Sequence, residues 1–427
     1  MRRRFVRSVL LTDVAGFVVA LLLASWIVFD TPWFWTVSLA PGDSIWPKIG
    51  LLVAGAVIGL TVSFKAWRTT APRPLYGRAI FFVSFTVVFT AMGIVLSRTY
   101  FSRSYLVWFG VIWLFVSLLH RSIRRARPWQ EPVSLVTGEK ALIEDLLDAP
   151  HIKVVSVLDP SEESPREPVD EGVTLAVDLR AVLSESMAQY VSSASIAGTT
   201  IRAFSTVYEE HTGRIPMVHL AEGWELSQPV SRSSYAPVKR VLDVILVVLT
   251  FPLWLAVAGI VAIAVRIDSP GPVLYRQERV GRDGKTFMLT KFRTMIDDAE
   301  SEGPAFATEF DPRITRTGRF LRKSRLDEFP QLWGVLKGEL SLIGPRPERP
   351  MFVAEYAREI PFYESRHLVR PGVTGWAQVN YGYADDQAET VEKLTYDLFY
   401  IKHSSFWLDV QIIGKSVWTV LSGFGAR

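Results

Sequence analysis

Five apolar runs limit what this chain can fold into: four in its first third, near Val9 to Phe29, Ile45 to Phe64, Ala79 to Leu96 and Tyr105 to His120, and a fifth over Val241 to Val265. Each of the first four approaches the roughly 20 residues with which a helix crosses hydrocarbon. A hydrophobic content of 49% and a mean hydropathy of +0.21 agree with a chain built partly for a bilayer. The first run is too long for a signal peptide and lacks a good small-residue cleavage site, so all four read as retained spans.

Basic residues orient them. Arg2, Arg3, Arg4 and Arg7 precede the first run, Lys65, Arg68, Arg73 and Arg78 separate the second from the third, and Arg121, Arg124, Arg125 and Arg127 follow the fourth. The other two loops hold only Lys48, Arg98 and Arg103. Positive charge stays inside, which puts the amino terminus, the middle loop and everything beyond Arg121 in the cytoplasm. Asp13, a lone acid in the first run, is expected to reach the interface near its helix end.

From Trp129 to about Ser231 the pattern becomes soluble α/β. The β-rich runs VSLVTG, KVVSVLD and VTLAVDL alternate with helical stretches EKALIEDLLDA and RAVLSESMAQYVSSA, which predicts a parallel, Rossmann-like sheet. VTGEKA supplies one glycine where a dinucleotide fingerprint needs three, so a regulatory or oligomerising module is expected here. The acidic loop DPSEESPREPVDEG reads as solvated.

The fifth run, VLDVILVVLTFPLWLAVAGIVAIAV, creates a topological conflict. About 25 helical residues would extend about 38 Å, enough to cross. Yet Lys239 and Arg240 flank one end, and Arg266, Arg276 and Arg279 the other, so both ends look cytoplasmic. Pro252, near the middle, removes a backbone hydrogen bond and makes a kink cheap. The expectation is a re-entrant helix over residues 241–265; the alternative is a fifth span with an exported domain. Near the carboxyl end, Phe406, Trp407, Val410, Ile413, Val417 and Leu421 recur at helical spacing, suited either to an interfacial helix or to core packing.

Chemistry concentrates in SRLDEFPQLWGVLKGELSLIGPRPERP, where Asp327 and Glu328 stand among cations. One reading makes the pair helix N-terminal stabilisers ahead of Pro330. Another answers to the repeated cations of KFRTM (Lys291 to Met295), RKSR (Arg322 to Arg325) and GPRPER (Gly344 to Arg349). A carboxylate attacking a diphosphate meets like charge, and at about 4 Å with an effective dielectric near 20 each unit pair costs about 4 kcal/mol. Arginine, lysine or a divalent cation must offset that repulsion, with one carboxylate as nucleophile and its neighbour helping to hold Mg²⁺. With no cysteine in the chain, thiolate nucleophiles, thiolate zinc sites and disulfides are excluded. A net charge of +4 suits anionic lipid or phosphate ligands better than nucleic acid.

KRVLDV, the proline-broken run, KFRTM, LDEFPQLWGVLKGELSLIGPRPE, RPGVTGWAQVNYG and YDLFYIKHSS together resemble the bacterial sugar transferases, the monotopic polyprenyl-phosphate phosphoglycosyl transferases, over Lys239 to Arg427. The four spans and the α/β module resemble the long form of that family. YEEHTGRIPMVHL and the closing GAR are similar to its exopolysaccharide branch, alongside capsule and O-antigen enzymes of lipopolysaccharide synthesis. The resemblance implies a membrane protein, mainly α-helical, with a four-helix transmembrane bundle (1–128), a cytosolic Rossmann-like module (129–231) and a catalytic domain (232–427) anchored by the re-entrant helix. It implies transfer of a hexose 1-phosphate from a UDP-sugar to undecaprenyl phosphate at the cytoplasmic face of the bacterial inner membrane, with Mg²⁺ required and a homodimer as the working unit.

On this resemblance Asp327 is the nucleophile and Glu328 its metal-linked partner. Lys291, Arg293, Arg322, Pro345, Arg346 and Pro347 contact substrate, and Asp397 joins Glu328 at the metal; a structural role for Asp397 within YDLFY stays open. Two departures stand out: Phe251 precedes Pro252 where relatives often have serine, and Gly334 stands where they often have asparagine. The missing serine removes a hydroxyl that would bond the carbonyl freed at Pro252. Direct attack by the lipid phosphate, and a non-catalytic scaffold or sensor, are the rival readings.

Overall fold

A computed structural model of the chain describes residues 2–37, 44–65, 76–99, 101–126, 130–222, 235–296, 311–381 and 387–422. The middle-loop residues Arg68 and Arg73, Arg127 and the closing GAR lie outside the described residues. The chain divides into two compact units, Met1–Thr212 and Gly213–Arg427.

The first unit opens with α1 (Arg2–Phe29), α2 (Trp46–Lys65), α3 (Tyr76–Ser97) and α4 (Arg103–Ala126). α1 packs on α4, α2 on α3, and α3 on α4. Their shared core gathers Phe82, Phe109 and Trp113, with Phe17 set edge-on to both Phe109 and Trp113. Asp13 does not reach water. It is fully buried and takes a two-pronged hydrogen bond from Arg121, at 2.6 and 2.7 Å, while Trp113 Nε1 donates to its backbone carbonyl at 2.8 Å. An ion in apolar surroundings carries a penalty of several kcal/mol unless paired, and the arginine fork satisfies both carboxylate oxygens at once.

Beyond α4 comes the α/β part, in which β1 (Glu131–Val136), β2 (Ile152–Leu158), β3 (Thr174–Val177) and β4 (Thr200–Ala203) form one parallel sheet in the order β2-β1-β3-β4. α5 (Lys140–Leu147), α6 (Glu185–Ile196) and α7 (Phe204–Thr212) connect or follow the strands. Ser184 caps α6 by accepting from Met187 N at 3.1 Å. β4, only four residues long, has no extended apolar run to betray it in the sequence.

The second unit begins at Gly213. Residues assigned on sequence to the α/β module up to position 231 therefore belong here from Gly213 to Glu222: Trp376 Nε1 donates to Gly213 O, Arg214 pairs with Glu392, and Ile215 and Leu220 join the core with Leu398 and Tyr400. Next runs α8 (Tyr235–Asp268), which continues through Pro252 as one helix. Thr250 Oγ1 donates to Leu246 O at 2.7 Å and Trp254 Nε1 to Val247 O at 3.4 Å. These bonds fall on the two carbonyls just before that of Val248, the one that Pro252 frees by lacking an N–H.

Both ends of α8 are bonded into the same unit. At one end Arg240 donates to the carbonyls of Val335 and Leu336, and Ser341 to Asp243. At the other, Asp268 accepts from Thr317 N. Among the described residues, α1 to α4 and α8 are five helices long and apolar enough to cross a membrane, which marks a membrane protein.

The rest of the unit comprises an antiparallel hairpin of β5 (Leu274–Val280) and β6 (Thr286–Phe292), α9 (Arg316–Ser324), α10 (Gln331–Lys337), β7 (Ser341–Ile343), α11 (Pro350–Glu359), β8 (Gly372–Thr374), α12 (Trp376–Asn380), α13 (Gln387–His403) and α14 (Phe406–Ser422). β7 and β8 pair in parallel. Within α14 the stripe divides: Trp407 is buried in the unit with its neighbours Leu408 and Ile412, while Ile413 and Val417 are exposed beside Trp418. The side chain of Leu421 lies outside the described residues.

Candidate active site

α9 ends on Arg325, whose φ of 57° is the left-handed value usually reserved for glycine or asparagine. That residue redirects the chain into a single 3₁₀ turn, Leu326–Glu328, after which Pro330 leads into α10. Asp327 and Glu328 thus sit in a tight connector, with side chains only 7% and 8% exposed, packed against β6. Asp327 Oδ1 is buried and has no hydrogen-bond partner among the described residues. A helix-capping carboxylate would accept a backbone N–H, so the purely stabilising reading does not describe this oxygen.

Cations approach from two sides. Arg346 Nη1 donates to Glu328 Oε1 at 3.3 Å, and Arg325 lies 3.9 Å from the same oxygen. From β6, half-buried Lys291 faces Arg346, Asp327 and Glu328; burial first, then Arg346, pushes its ammonium down to about 8. Burial and the adjacent Glu328 carboxylate push Asp327 up to about 6, against the opposing pull of Lys291, Arg346 and Arg325.

The loop bearing Arg346 is held at its backbone. Gly344 N donates to Thr374 O and Gly372 N to Pro345 O, both at 2.9 Å, which ties GPRPE to RPGVTG. A Cβ at Gly344 would fall 2.3 Å from Arg370 O, and one at Gly372 would fall 2.1 Å from Gly344 N, so only glycine permits this approach. Pro345 and Pro347 are buried and stiffen the same loop. Arg366 Nη2 then donates to Arg346 O at 2.9 Å, and Arg279 Nη1 to Pro347 O at 3.0 Å.

The remaining sequence candidates are occupied elsewhere. Arg322 Nε donates to Thr294 Oγ1 at 3.0 Å, and buried Arg293 donates to Ser269 O and Oγ at 2.8 Å, linking β6 to the end of α8. Asp397 Oδ2 accepts from Arg366 at 2.8 Å. Among the described residues no three acidic or histidine side chains come together as a metal cage. Two carboxylates from one turn, one with an unbonded buried oxygen, do fit a Mg²⁺ ion that keeps several waters and shares phosphate oxygens.

Sequence reasoning missed the support of the loop: Arg279, Glu348, Tyr363, Arg366 and Lys393. Arg366 stacks 5.0 Å over Tyr363 and donates to its hydroxyl, and Glu348 accepts from Lys393 at 3.2 Å. The one available signal was position, since Glu348 and Arg366 border the GPRPE and RPGVTG motifs.

Fold and site define a membrane protein whose second unit sets a buried acidic dyad against Lys291, Arg325 and Arg346. The profile of the bacterial sugar transferase family matches residues 234–423, and the chain belongs to that family. It is 43% identical over 239 residues to the UDP-N-acetylgalactosamine-undecaprenyl-phosphate N-acetylgalactosaminephosphotransferase of Aeromonas hydrophila, covering 56% of each chain. It is 43% identical over 213 residues to the UDP-glucose:undecaprenyl-phosphate glucose-1-phosphate transferase of Xanthomonas campestris pv. campestris, covering 48% of this chain and 42% of that one. A putative undecaprenyl-phosphate N-acetylgalactosaminyl 1-phosphate transferase of Bacillus subtilis matches at 43% over 149 residues, 35% of this chain and 82% of the relative. The chain spans about half the length of the first two of these relatives.

Proposed function

We propose that this chain transfers a hexose 1-phosphate from a UDP-sugar to undecaprenyl phosphate, opening an exopolysaccharide, capsule or O-antigen repeat unit. The observation that carries the proposal is the buried, unbonded Asp327 Oδ1, set in a turn against the strand that bears Lys291. A buried oxygen without a partner costs stability, so its retention fits a group kept for chemistry. The relatives' names support the donor and acceptor classes.

In this reading an Asp327 carboxylate oxygen attacks the sugar-bearing phosphorus of the UDP-sugar. The bond to the bridging oxygen breaks, its electron pair leaves with UMP, and an aspartyl phosphosugar remains. An oxygen of the lipid phosphate then attacks the same phosphorus and returns the carboxylate. Bound Mg²⁺, held by Glu328 with diphosphate oxygens, would neutralise charge on the phosphates. Lys291 and Arg346 face the same charge, and Arg366 with Asp397 positions Arg346.

The cytoplasmic side of the bacterial inner membrane and a re-entrant course for α8 complete the proposal. Support for the latter is that Arg240 and Asp243 at one end of the helix and Asp268 at the other all bond into the same folded unit. A span through the bilayer would separate those partners. The four amino-terminal helices are read as a transmembrane bundle and the α/β part as a regulatory or dimerising module, which mass photometry of the solubilised chain would test. For the chemistry, purified protein is incubated with UDP-sugar carrying labelled β-phosphate and no acceptor. Label retained on the denatured protein, chased by undecaprenyl phosphate, is the expected result. UMP release that strictly requires the lipid would sink the covalent route.

A further inference from the structure

Beside the dyad turn lies a cavity of about 680 Å³ that the chemistry above does not use. One wall is the second half of α8, where Trp254, Ala258 and Ala262 recur at four-residue spacing and so line one face of the helix. The hairpin supplies Met288 opposite, and α10 supplies Trp333. Both are 53% exposed, so the cavity opens at the surface. Its lining includes Pro330 and Gln331, which follow the dyad turn after Phe329. Exposed Arg276 and Lys337 also line it, against the carboxylate of Glu339.

We propose that this cavity receives the isoprenoid chain of the acceptor lipid phosphate, an inference that rests on the transferase reading above. Three observations favour that occupant. Its lining is mostly indole, thioether and aliphatic groups, against which hydrocarbon gains by leaving water, with Arg276, Thr290, Gln331, Lys337 and Glu339 as its polar groups. One wall belongs to the apolar helix that enters the membrane, so a chain can pass from bilayer to cavity without crossing water. Pro330 and Gln331 in the cavity lining stand two and three residues beyond Glu328, and Arg276 and Lys337 outnumber Glu339, which matches a chain with an anionic head. The two alanines make the room: larger side chains on that helix face would fill it.

The test uses the full chain in phosphatidylcholine nanodiscs. Ala258→Trp is expected to raise the KM for undecaprenyl phosphate at least tenfold and to erase most of the preference for that acceptor over a two-isoprene phosphate, while the labelled-adduct burst from UDP-sugar persists. A persistent burst with unchanged acceptor KM and chain-length preference overturns the proposal. Should Ala258→Trp misfold, a diazirine-bearing polyprenyl phosphate on the unaltered protein decides. Crosslinks to Trp254, Met288 or Trp333 that excess undecaprenyl phosphate competes away support the site. Crosslinks confined elsewhere, or displaced equally well by phosphatidylglycerol, overturn it and leave bilayer lipid as the occupant. Absence of the burst in the unaltered enzyme counts against the covalent reading alone, because the crosslink reads the cavity independently.

Discussion

Two acidic clusters share the second unit, and they are finished to different degrees. Around Glu348 and Asp397, the carboxylates meet Arg279, Lys393 and Arg366, and Arg366 also bonds Tyr363 and the Arg346 carbonyl. Burial works against the ionised form of Glu348, yet Lys393, Arg366, Arg279 and Arg346 together hold it down at about 2. At Asp327 burial wins, helped by Glu328, and the carboxyl rises to about 6. Glu348 and Asp327 reach opposite ends of the carboxyl range because the first is ringed by cations and the second is not, while Asp397, beside Glu348, is still raised by burial against the pull of Arg366. The saturated cluster holds the loop in place; the unsaturated pair keeps a buried oxygen unbonded, which on the proposed reading is the one that meets phosphate.

The most severe way to probe that contrast is to remove the unfinished acid. Asp327→Asn is expected to lower adduct formation by on the order of 10³-fold or more, read by label retention. It should also raise thermal stability. The carboxyl sits at about 6 when folded and near 3.8 when unfolded, so its ionisation opposes folding as pH rises through that window. The amide removes on the order of 2 to 3 kcal/mol of cost at neutral pH. A variant that loses both activity and stability would break the comparison.

Arg366→Met, in the finished cluster, strands Asp397 in a buried site, and about 3 to 5 kcal/mol of stability is expected to go, seen as a lower unfolding temperature. Replacing the pair together, Arg366→Met with Asp397→Leu, should recover most of it. Glu348→Gln carries the sign opposite to Asp327→Asn. Its carboxyl is lowered from 4.5 to about 2, so the stability it contributes is present above about 4.5 and lost as pH falls through about 2. A loss on the order of 3 kcal/mol at neutral pH, shrinking in acid, is the expected melting result.

The pH dependence of kcat/KM sharpens the contrast further. Activity should fall about tenfold per unit below about pH 6, as Asp327 takes up a proton, and decline again above about pH 8, as Lys291 loses one. A profile flat from about pH 5 to 9 would remove both groups from the rate-determining chemistry. Smallest is Arg346→Lys, which exchanges a planar fork for a point charge. A rise of about tenfold in the KM for UDP-sugar, with melting temperature nearly unchanged, is expected.

How far the sequence could be read depended on how far apart partners lie. The dyad, KFR and GPRPE are contiguous stretches whose charge is visible in a line of text, and Asp327, Glu328, Lys291 and Arg346 do converge. Arg366 and Asp397, by contrast, meet across 31 residues, and Asp13 meets Arg121 across 108. No local period announces such pairs, so neither the Arg121 partner of Asp13 nor the Arg366 partner of Asp397 was visible in the sequence. The parallel sheet was legible from its β-branched runs, but β4 was too short. That Gly213 to Glu222 join the second unit was hidden because one anchor, Trp376, lies 163 residues beyond Gly213.

Lys291 has one more consequence. With its ammonium near 8 in the substrate-free protein, a diphosphate seated beside it favours the charged form, and the group reclaims a proton. At about pH 8 each nucleotide-sugar that docks should therefore draw roughly half a proton from solution. Calorimetric heats measured in phosphate and in Tris would then differ in proportion to the buffers' own ionisation enthalpies, a signature visible even when no bond is made or broken.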